Sequence, residues 1–303
     1  MKNVGKQTAV LLLATFLLVS CSNNSGNGGN AAIQTNQQPT AAATSVISTL
    51  PDQEENGGEG TLSPQPSPSA VVPAASSAPQ STELKPAEVP LLYHMNKNYD
   101  IIPNEAGTPK KVVLLTFDDG PKEAGMINSL LDTLDKHNAK AIFFVNGYRV
   151  KEHPELLKLI HDRGGIIGNH SWDHIVLKDK SYAAVRKQLE DVQNLVKEIT
   201  GEVPHFFRPP FGAGGEEGKK VAAEYGMLFM NWSVGSLDWE MKEQETGKTQ
   251  KLIKNVTDQL HSGSNILMHE LPWTVEGLDT LLSTLESKGY SFVDPQSIEL
   301  KMR

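Results

Sequence analysis

Residue types that bind metals or transfer protons are concentrated at a few places in the sequence. Asp118 and Asp119 are adjacent carboxylates that follow an apolar run. His170 and His174 stand at positions i and i+4, a spacing that in a helical turn lets both imidazoles reach one ion. That spacing alone would also suit surface histidines. Together with an aspartate pair it favours a metal site with positions left open for water and substrate.

The aspartate pair has two interpretations. Asp-Asp-Gly-Pro at 118–121 is common in turns and can cap a helix. Two carboxylates at the end of a buried strand, however, repel each other unless their environments differ. A metal on one would leave the other free to act as a base, with its pKa set by the ion and by a cation such as Arg208. Arg208 could instead be an ordinary surface residue.

A further histidine could supply a proton. His269 follows the apolar run 266–268 and is predicted to close a buried strand. A histidine there is often only a residue of the sheet rim, but opposite a metal site it could protonate a departing amine.

Apolar runs of strand length alternate with helical patterns from about residue 90 onward. Predicted strands cover 112–117, 141–145, 165–168, 205–208, 227–232, 265–268 and 291–293, and predicted helices cover 123–138, 155–163, 182–200, 218–225, 249–261 and 275–288. This alternation indicates parallel strands that are buried on both faces. About seven such units predict an α/β fold, a distorted (β/α) barrel, with an open doubly wound sheet as the alternative.

Polar residues follow the predicted strands at one end only. They occur at 118–121, 169–174, 208–212, 233–239 and 269–270, whereas the loops that precede the strands carry few such groups. Reactive groups of βα folds collect at the carboxyl ends of the strands. The asymmetry therefore predicts an enzyme with its site on that rim.

These segments, in this order, resemble the motifs of the polysaccharide deacetylase family, also called carbohydrate esterase family four or the NodB-homology domain. The resemblance covers about 112–293. Four motifs are complete: TFDDGP at 116–121, H-S-x-x-H at 170–174, RPPFG at 208–212 and L-x-H at 267–269. The remaining family motif, Asp-x-x-Asp-Trp, is incomplete because Gly235 stands at its first position, and only Asp238 and Trp239 are retained.

The resemblance implies a role for each matched residue. Asp119, His170 and His174 would bind a divalent metal, with zinc expected first and cobalt or nickel as alternatives. Asp118 would act as the base and Arg208 would hold it, while His269 would protonate the leaving amine. The Phe211 backbone N–H would stabilise an oxyanion, and Trp239 and Leu267 would shape an apolar slot for the acetyl methyl group. Because Gly235 replaces an aspartate, the carboxylate that orients His269 is either missing or supplied by Asp238.

The start of the chain predicts export. Lys2 and Lys6 precede the short apolar segment 9–19, which is typical of a signal peptide over residues 1–20. The sequence Leu-Val-Ser-Cys that ends at Cys21 resembles the lipobox of bacterial lipoproteins and implies a diacylglycerol on the Cys21 sulfur. An ordinary signal peptide with a chance cysteine is the alternative. The low-complexity segment 21–90 predicts a disordered tether, which leaves 91–303 as the deacetylase domain outside the cytoplasm.

The composition of the chain excludes some classes of binding partner and of metal site. The formal net charge of the 303-residue chain is −8, so a nucleic acid is not expected as a partner. Its one cysteine excludes an internal disulfide and a cysteine-based zinc site. We expect a monomer with a lipid anchor in the membrane and a polysaccharide as its partner.

The substrate is expected to be an amino-sugar polymer. Peptidoglycan N-acetylglucosamine is favoured because the predicted anchor places the domain at the envelope. Chitin oligomers, N-acetylmuramic acid and exported poly-N-acetylglucosamine are alternatives. Other functions remain open at this point: an esterase for acetylated glycans such as xylan, a non-catalytic glycan-binding lipoprotein, or a periplasmic solute-binding protein.

Overall fold

A curved sheet of parallel strands lies at the centre of residues 89–303, the part of the chain that the computed structural model describes. Its elements, in chain order, are β1 (Tyr93–Met95), β2 (Ile101–Pro103), β3 (Val112–Gly120), α1 (Ala124–Lys136), β4 (Ala141–Val145), α2 (Gly147–Glu152), α3 (Pro154–Asp162), β5 (Ile166–Asn169), α4 (Tyr182–Thr200), β6 (Phe206–Phe207), α5 (Gly215–Glu224), β7 (Leu228–Phe229), β8 (Val234–Gly235), α6 (Lys248–Gln259), β9 (Ser264–His269), α7 (Pro272–Ser287) and β10 (Ser291–Phe292). The proposed signal peptide, Cys21 and nearly all of the tether lie outside the described residues.

The strand order is that of a distorted barrel, as predicted. Neighbouring strands follow the order β7-β6-β5-β4-β3-β9-β8, and β10 pairs with the first two residues of β3. The strands therefore follow one another around the sheet in sequence, except for a seam between β7 and β8, where no pairing occurs among the described residues. At this seam the Gln259 side chain donates to the Gly235 carbonyl at 2.9 Å, so a side-chain amide satisfies the free edge of β8.

Amphipathic helices cover the outer face of the sheet. Four regularly spaced apolar residues of α4 are buried: Val185, Leu189, Val192 and Val196. They recur every three or four positions, the spacing that forms one apolar stripe on a helix. The Ser181 hydroxyl caps the start of α4, and Gly201 with φ of 84° ends it in the left-handed conformation that glycine adopts without strain.

Several short elements differ from the prediction. The hairpin of β1 and β2 was not predicted, because each strand has only three residues. The predicted strand 227–232 is reduced to β7, and β8 is an additional strand. The predicted helix 155–163 is preceded by a separate helix, α2, since Pro154 starts a new helix where a missing N–H costs nothing. Among the described residues, no helix combines the length and apolar character needed to cross a membrane.

Candidate active site

The backbone separates the two adjacent aspartates at the end of β3. Asp118 continues the strand and pairs in register with His269 of β9. Asp119 has a φ of 66°, a left-handed conformation that interrupts the regular alternation of side chains. The Asp118 side chain is therefore buried at the strand end, while that of Asp119 is partly exposed, at 4% and 28% of its surface respectively. Identical carboxylates thus stand in different environments.

Asp119, His170 and His174 converge on one spot, as predicted. The Oδ1 atom of Asp119 lies 3.3 Å from Nε2 of His170 and 3.0 Å from Nε2 of His174. One ligand atom of each residue lies within 4.8 Å of the other two. The two imidazole rings lie side by side with centroids 5.1 Å apart and planes inclined by 52°.

The donor set of this cluster suits a divalent metal. The Asp119 Oδ1 atom is buried and accepts no hydrogen bond from any described residue. His170 uses its Nδ1 atom to bond the Arg208 carbonyl oxygen at 2.7 Å, which leaves Nε2 directed at the cluster. Burial would raise the pKa of Asp119, but the two histidines hold it well below its usual range, so this carboxylate remains ionised. Two imidazoles and one carboxylate are ligands that zinc accepts.

The two histidines converge without sharing a helical turn, the geometry from which their approach was inferred. Residues 170–174 form a bent loop in which Ser171 and His174 both have positive φ, 67° and 52°. The loop conformation is fixed by the Asn169 side chain, which accepts from the Ser171 N–H, and by the Gln188 side chain, which accepts from Trp172 and Asp173. Side-chain acceptors thus bring the two imidazoles together, although the backbone is not helical.

Arg208 is fully buried beneath the site, so the alternative of a surface arginine is wrong. Its Nη1 atom donates to Oδ1 of Asp118 at 2.8 Å and to the Thr116 hydroxyl at 2.7 Å. Its Nη2 atom donates to the Asn231 carbonyl at 2.9 Å and to the Asn265 side chain at 3.2 Å. A buried arginine with four acceptors fixes the position of Asp118 and compensates its charge.

The carboxylate that contacts His269 is that of Asp238. The carboxylate expected at position 235 is therefore not missing from the site, because Asp238 supplies it. Asp238 Oδ1 lies 2.8 Å from Nδ1 of His269, and its Oδ2 accepts from the His269 N–H and the Thr274 hydroxyl, both at 2.7 Å. Burial alone would lower the pKa of His269, but Asp238, with added contributions from Asp118 and Asp119, raises it overall. The other ring nitrogen of His269 lies 4.0 Å from Asp119 Oδ2, so it faces the cluster of candidate metal ligands.

Gly235 leaves room for an aromatic side chain. A Cβ atom at this position would lie 3.2 Å from the Trp239 ring and 3.6 Å from the Leu237 side chain. A side chain here would therefore make a tight contact with Trp239, which would have to shift by about a few tenths of an ångström. The absence of a side chain at 235 allows Trp239 to pack against the backbone of β8.

Two exposed aromatic residues flank the cluster. The Phe211 ring lies 4.7 Å from the His174 ring, and the Trp239 ring lies 5.3 Å from the His269 ring. Phe211 is 65% exposed and Trp239 is 40% exposed, so both rings are accessible beside the cluster. The Phe211 N–H donates to no acceptor within residues 89–303, as an oxyanion donor requires. Leu267 is buried, so it can contribute only to the floor of the predicted slot for the acetyl methyl group.

Several supporting residues were not identified from the sequence. They are Asn146, Asn169, Gln188, Asn231, Asn265, Trp273 and Thr274, all of which hold a ligand, a loop or a carboxylate of the site. Asn146, Asn169 and Asn265 lie within or next to apolar runs, where a buried amide must find partners. A polar amide beside an apolar run could therefore have indicated a supporting role for these three residues. Gln188 and Thr274 lie on helices, where nothing in the sequence indicated such a role.

Comparisons with known proteins agree with this arrangement. Residues 105–230 match the family described as polysaccharide deacetylase. The chain is 37% identical over 224 residues to the peptidoglycan-N-acetylglucosamine deacetylase PgdA of Listeria monocytogenes, a match that covers 71% of this chain and 46% of PgdA. The chain thus spans about half the length of that relative.

A second relative matches over most of its length. This is the peptidoglycan-N-acetylmuramic acid deacetylase PdaA of Bacillus subtilis, 35% identical over 200 residues, with 65% of this chain and 75% of PdaA covered. Among solved structures, wild-type BA3943 of Bacillus anthracis, described as a pseudoenzyme of the CE4 family, superimposes with a TM-score of 0.57 at 32% identity, covering 60% of this chain and 63% of BA3943. By this extent of similarity, and by the motifs and geometry of its site, the chain belongs to the polysaccharide deacetylase family.

Proposed function

We propose that this protein is a metal-dependent hydrolase that removes N-acetyl groups from peptidoglycan N-acetylglucosamine and releases acetate. The observation that carries the proposal is the placement of two proton-transfer groups around one cluster of metal ligands. Asp118, held by Arg208, and His269, held by Asp238, both adjoin the cluster that contains Asp119. A base and an acid around one electrophilic centre are the parts that amide hydrolysis requires.

The divalent metal, zinc or alternatively cobalt or nickel, would be held by Asp119, His170 and His174. When bound, it supplies Lewis-acid polarisation of the acetamide carbonyl and lowers the pKa of water. Asp118 takes the proton of the attacking water, and the hydrogen bond from Arg208 holds Asp118 in place. The Phe211 N–H donates to the developing oxyanion. His269, protonated with the help of Asp238, donates its proton to the departing amine.

The choice of substrate rests on the relatives and on the proposed location. The two relatives described above are named for deacetylation of peptidoglycan sugars, and their names differ in the sugar. An esterase for acetylated glycans would use the same groups, and chitin or poly-N-acetylglucosamine would present the same acetamide. A solute-binding protein would not require the acid, the base and the ligand cluster together.

A non-catalytic glycan-binding protein is the second candidate, because one structural neighbour is described as a pseudoenzyme. Such a protein needs no base or proton donor. This chain has all four groups, and hydrogen bonds of 2.7–2.8 Å join Arg208 to Asp118 and His269 to Asp238. This completeness favours catalysis.

The proposal extends to where the protein acts. A signal peptide over 1–20, a lipid on Cys21 and a tether over 21–90 would hold the catalytic domain 91–303 at the outer face of the membrane, within reach of the wall polymer. The lipobox-like sequence and the low-complexity composition support this arrangement. We propose that the protein acts as a monomer.

Acetate release from a panel of polymers tests the proposal. The panel contains peptidoglycan, chito-oligosaccharides, poly-N-acetylglucosamine and acetylated xylan, each assayed with the zinc-loaded protein and after chelation. We expect metal-dependent release from peptidoglycan, with new free amines on glucosamine. Release from xylan alone would identify an esterase, and release from none would support the non-catalytic alternative.

A further inference from the structure

Two cations lie together at one corner of the rim and have no part in the chemistry described above. Lys122 lies in the loop between β3 and α1, and Arg149 lies on α2, the helix that follows β4. The two segments touch, because the Asn146 N–H at the start of α2 donates to the Gly120 carbonyl at 2.9 Å. Both cationic residues are partly buried rather than fully solvated.

Neither cation forms an ion pair with another of the residues that the structure describes. Within residues 89–303, Lys122 and Arg149 form no ion pair and no side-chain hydrogen bond, and the buried Nε atom of Arg149 lacks an acceptor. The Arg149 guanidinium lies over the Tyr148 ring, 5.1 Å from its centroid. Burial lowers the pKa of Lys122 and the charge of Arg149 lowers it further, although nearby carboxylates act in the opposite direction.

The carboxyl group beside this corner is poorly suited to neutralise them. Glu270 accepts the backbone N–H of Lys122 at 2.9 Å, while its other oxygen is buried against Gly120 without a partner. Burial raises the pKa of Glu270 to about 7, so this group carries only part of a negative charge at neutral pH. Two positive charges therefore lie at this corner, and among the described residues the neighbouring Glu270 compensates them incompletely.

The pair adjoins the reaction centre. Lys122 follows Asp119, the carboxylate proposed to bind the metal, by three residues. The helix α2, which carries Arg149, begins against the loop of the two histidines, because the Gly147 N–H donates to the Ser171 carbonyl at 3.1 Å. An anionic group of a bound polymer that reached this corner would find two cations with few competing partners. Arginine can bind a carboxylate through two parallel hydrogen bonds, and lysine adds a flexible point charge.

We propose that Lys122 and Arg149 form a subsite for a carboxylate of the peptidoglycan chain, carried by the unit next to the sugar that is deacetylated. This inference rests on the proposed function and adds a determinant of polymer choice. Peptidoglycan carries carboxylates on the lactyl group of muramic acid or on its stem peptide, whereas chitin carries none. The cation pair thus selects peptidoglycan over neutral polymers of the same sugar.

The test compares three substrates with matched variants of the full chain. The substrates are glycan strands with stem peptides, strands from which an amidase has removed the peptides, and chito-oligosaccharides. The variants are Lys122→Met and Arg149→Met, with Lys151→Met as the control, because Lys151 is an exposed cation on the same helix α2. The measurements are kcat/KM for acetate release and fragment affinity by isothermal titration calorimetry.

We expect each variant to lose about 10- to 100-fold in kcat/KM on an anionic polymer, mainly through KM, the range for loss of a hydrogen bond to a charged group. Activity on chito-oligosaccharides should fall far less, and Lys151→Met should behave as the wild type. Lys122→Arg and Arg149→Lys should recover much of the loss. A loss confined to peptide-free strands identifies the lactyl carboxylate, and one confined to peptide-bearing strands identifies the stem peptide.

Equal losses on anionic and neutral polymers, or no loss on either anionic polymer, would overturn the subsite. If the wild type releases acetate from none of the substrates, the proposed deacetylase function fails instead. In that case isothermal titration calorimetry still tests the proposed subsite. If the subsite exists, Lys122→Met and Arg149→Met bind anionic fragments more weakly than the wild type does, and equal affinities would overturn it.

Discussion

At the scale of single residues, the site depends on placing identical groups in different surroundings. Asp118 is held by a buried arginine, and Asp119, the next residue, faces two imidazoles. The difference arises from a left-handed backbone at Asp119, a conformation that aspartate tolerates better than most residues. No sequence pattern reports this conformation, so the residues could predict a base and a ligand without showing how the two carboxylates separate.

A change at Asp238 should alter the pH dependence of the reaction. The pKa of His269 is raised overall because Asp238, supported by other carboxylates, outweighs the effect of burial. If protonated His269 is the acid, kcat/KM falls as pH rises through its pKa. Asp238→Asn removes the carboxylate charge and lowers this pKa, so the alkaline fall should begin at lower pH, with a rate reduction of about 10²–10⁴-fold.

The pH–rate profile of acetate release measures this shift. Asp258→Asn, which changes an exposed carboxylate on α6, is the control and should leave the profile unchanged. An Asp238→Asn enzyme with the alkaline limb of the wild type would show that His269 is not the acid.

At the scale of elements, long periodic segments were predictable and short or bent ones were not. Apolar runs located β3, β4 and β9, and the stripe of α4 matched its buried face. The strands β1, β2 and β8 have two or three residues, too few for a period to appear. The convergence of the two histidines was inferred from the i, i+4 spacing of a helical turn, but this spacing cannot distinguish a helix from a bend held by side-chain acceptors such as Gln188.

The apolar stripe of α4 should be required for stability. Leu189→Ala removes a fully buried side chain and leaves a cavity, so we expect the free energy of unfolding to fall by about 2–5 kcal/mol. Chemical denaturation followed by circular dichroism measures the change. Glu198→Ala, an exposed position on the same helix, should change the free energy by less than about 0.5 kcal/mol. Equal effects at the two positions would contradict the assigned packing.

At the scale of the whole molecule, the proposed organisation separates catalysis from attachment. The described residues 89–303 contain the complete candidate site, and the proposed anchor and tether precede them in sequence. A catalytic domain that contains all of its chemistry needs the anchor only to reach its polymer. Attachment and specific activity should therefore vary independently.

Removal of the proposed lipid should release the protein without inactivating it. Cys21→Ala eliminates the thiol that would carry diacylglycerol, and the apolar segment 9–19 belongs to the signal peptide, so the mature chain would keep no acyl chain to hold it in the membrane. We expect the variant to move from the membrane fraction to the soluble fraction with unchanged acetate release per molecule. Residues 91–303 alone should show the same specific activity. Retention of the Cys21→Ala protein in membranes would contradict the lipid anchor.

The division of labour between Asp118 and Asp119 is the central claim, and metal content together with acetate release tests it directly. Both variants are compared with the wild type on peptidoglycan, with and without added zinc. Asp118→Asn should retain the metal but lose about 10²–10⁴-fold in activity, which added zinc does not restore, because only the base is removed. Asp119→Asn should lose metal affinity and regain some activity in excess zinc. If Asp118→Asn loses the metal while Asp119→Asn retains it, the assigned roles are reversed, and if neither change lowers acetate release, the catalytic assignment of this site is wrong.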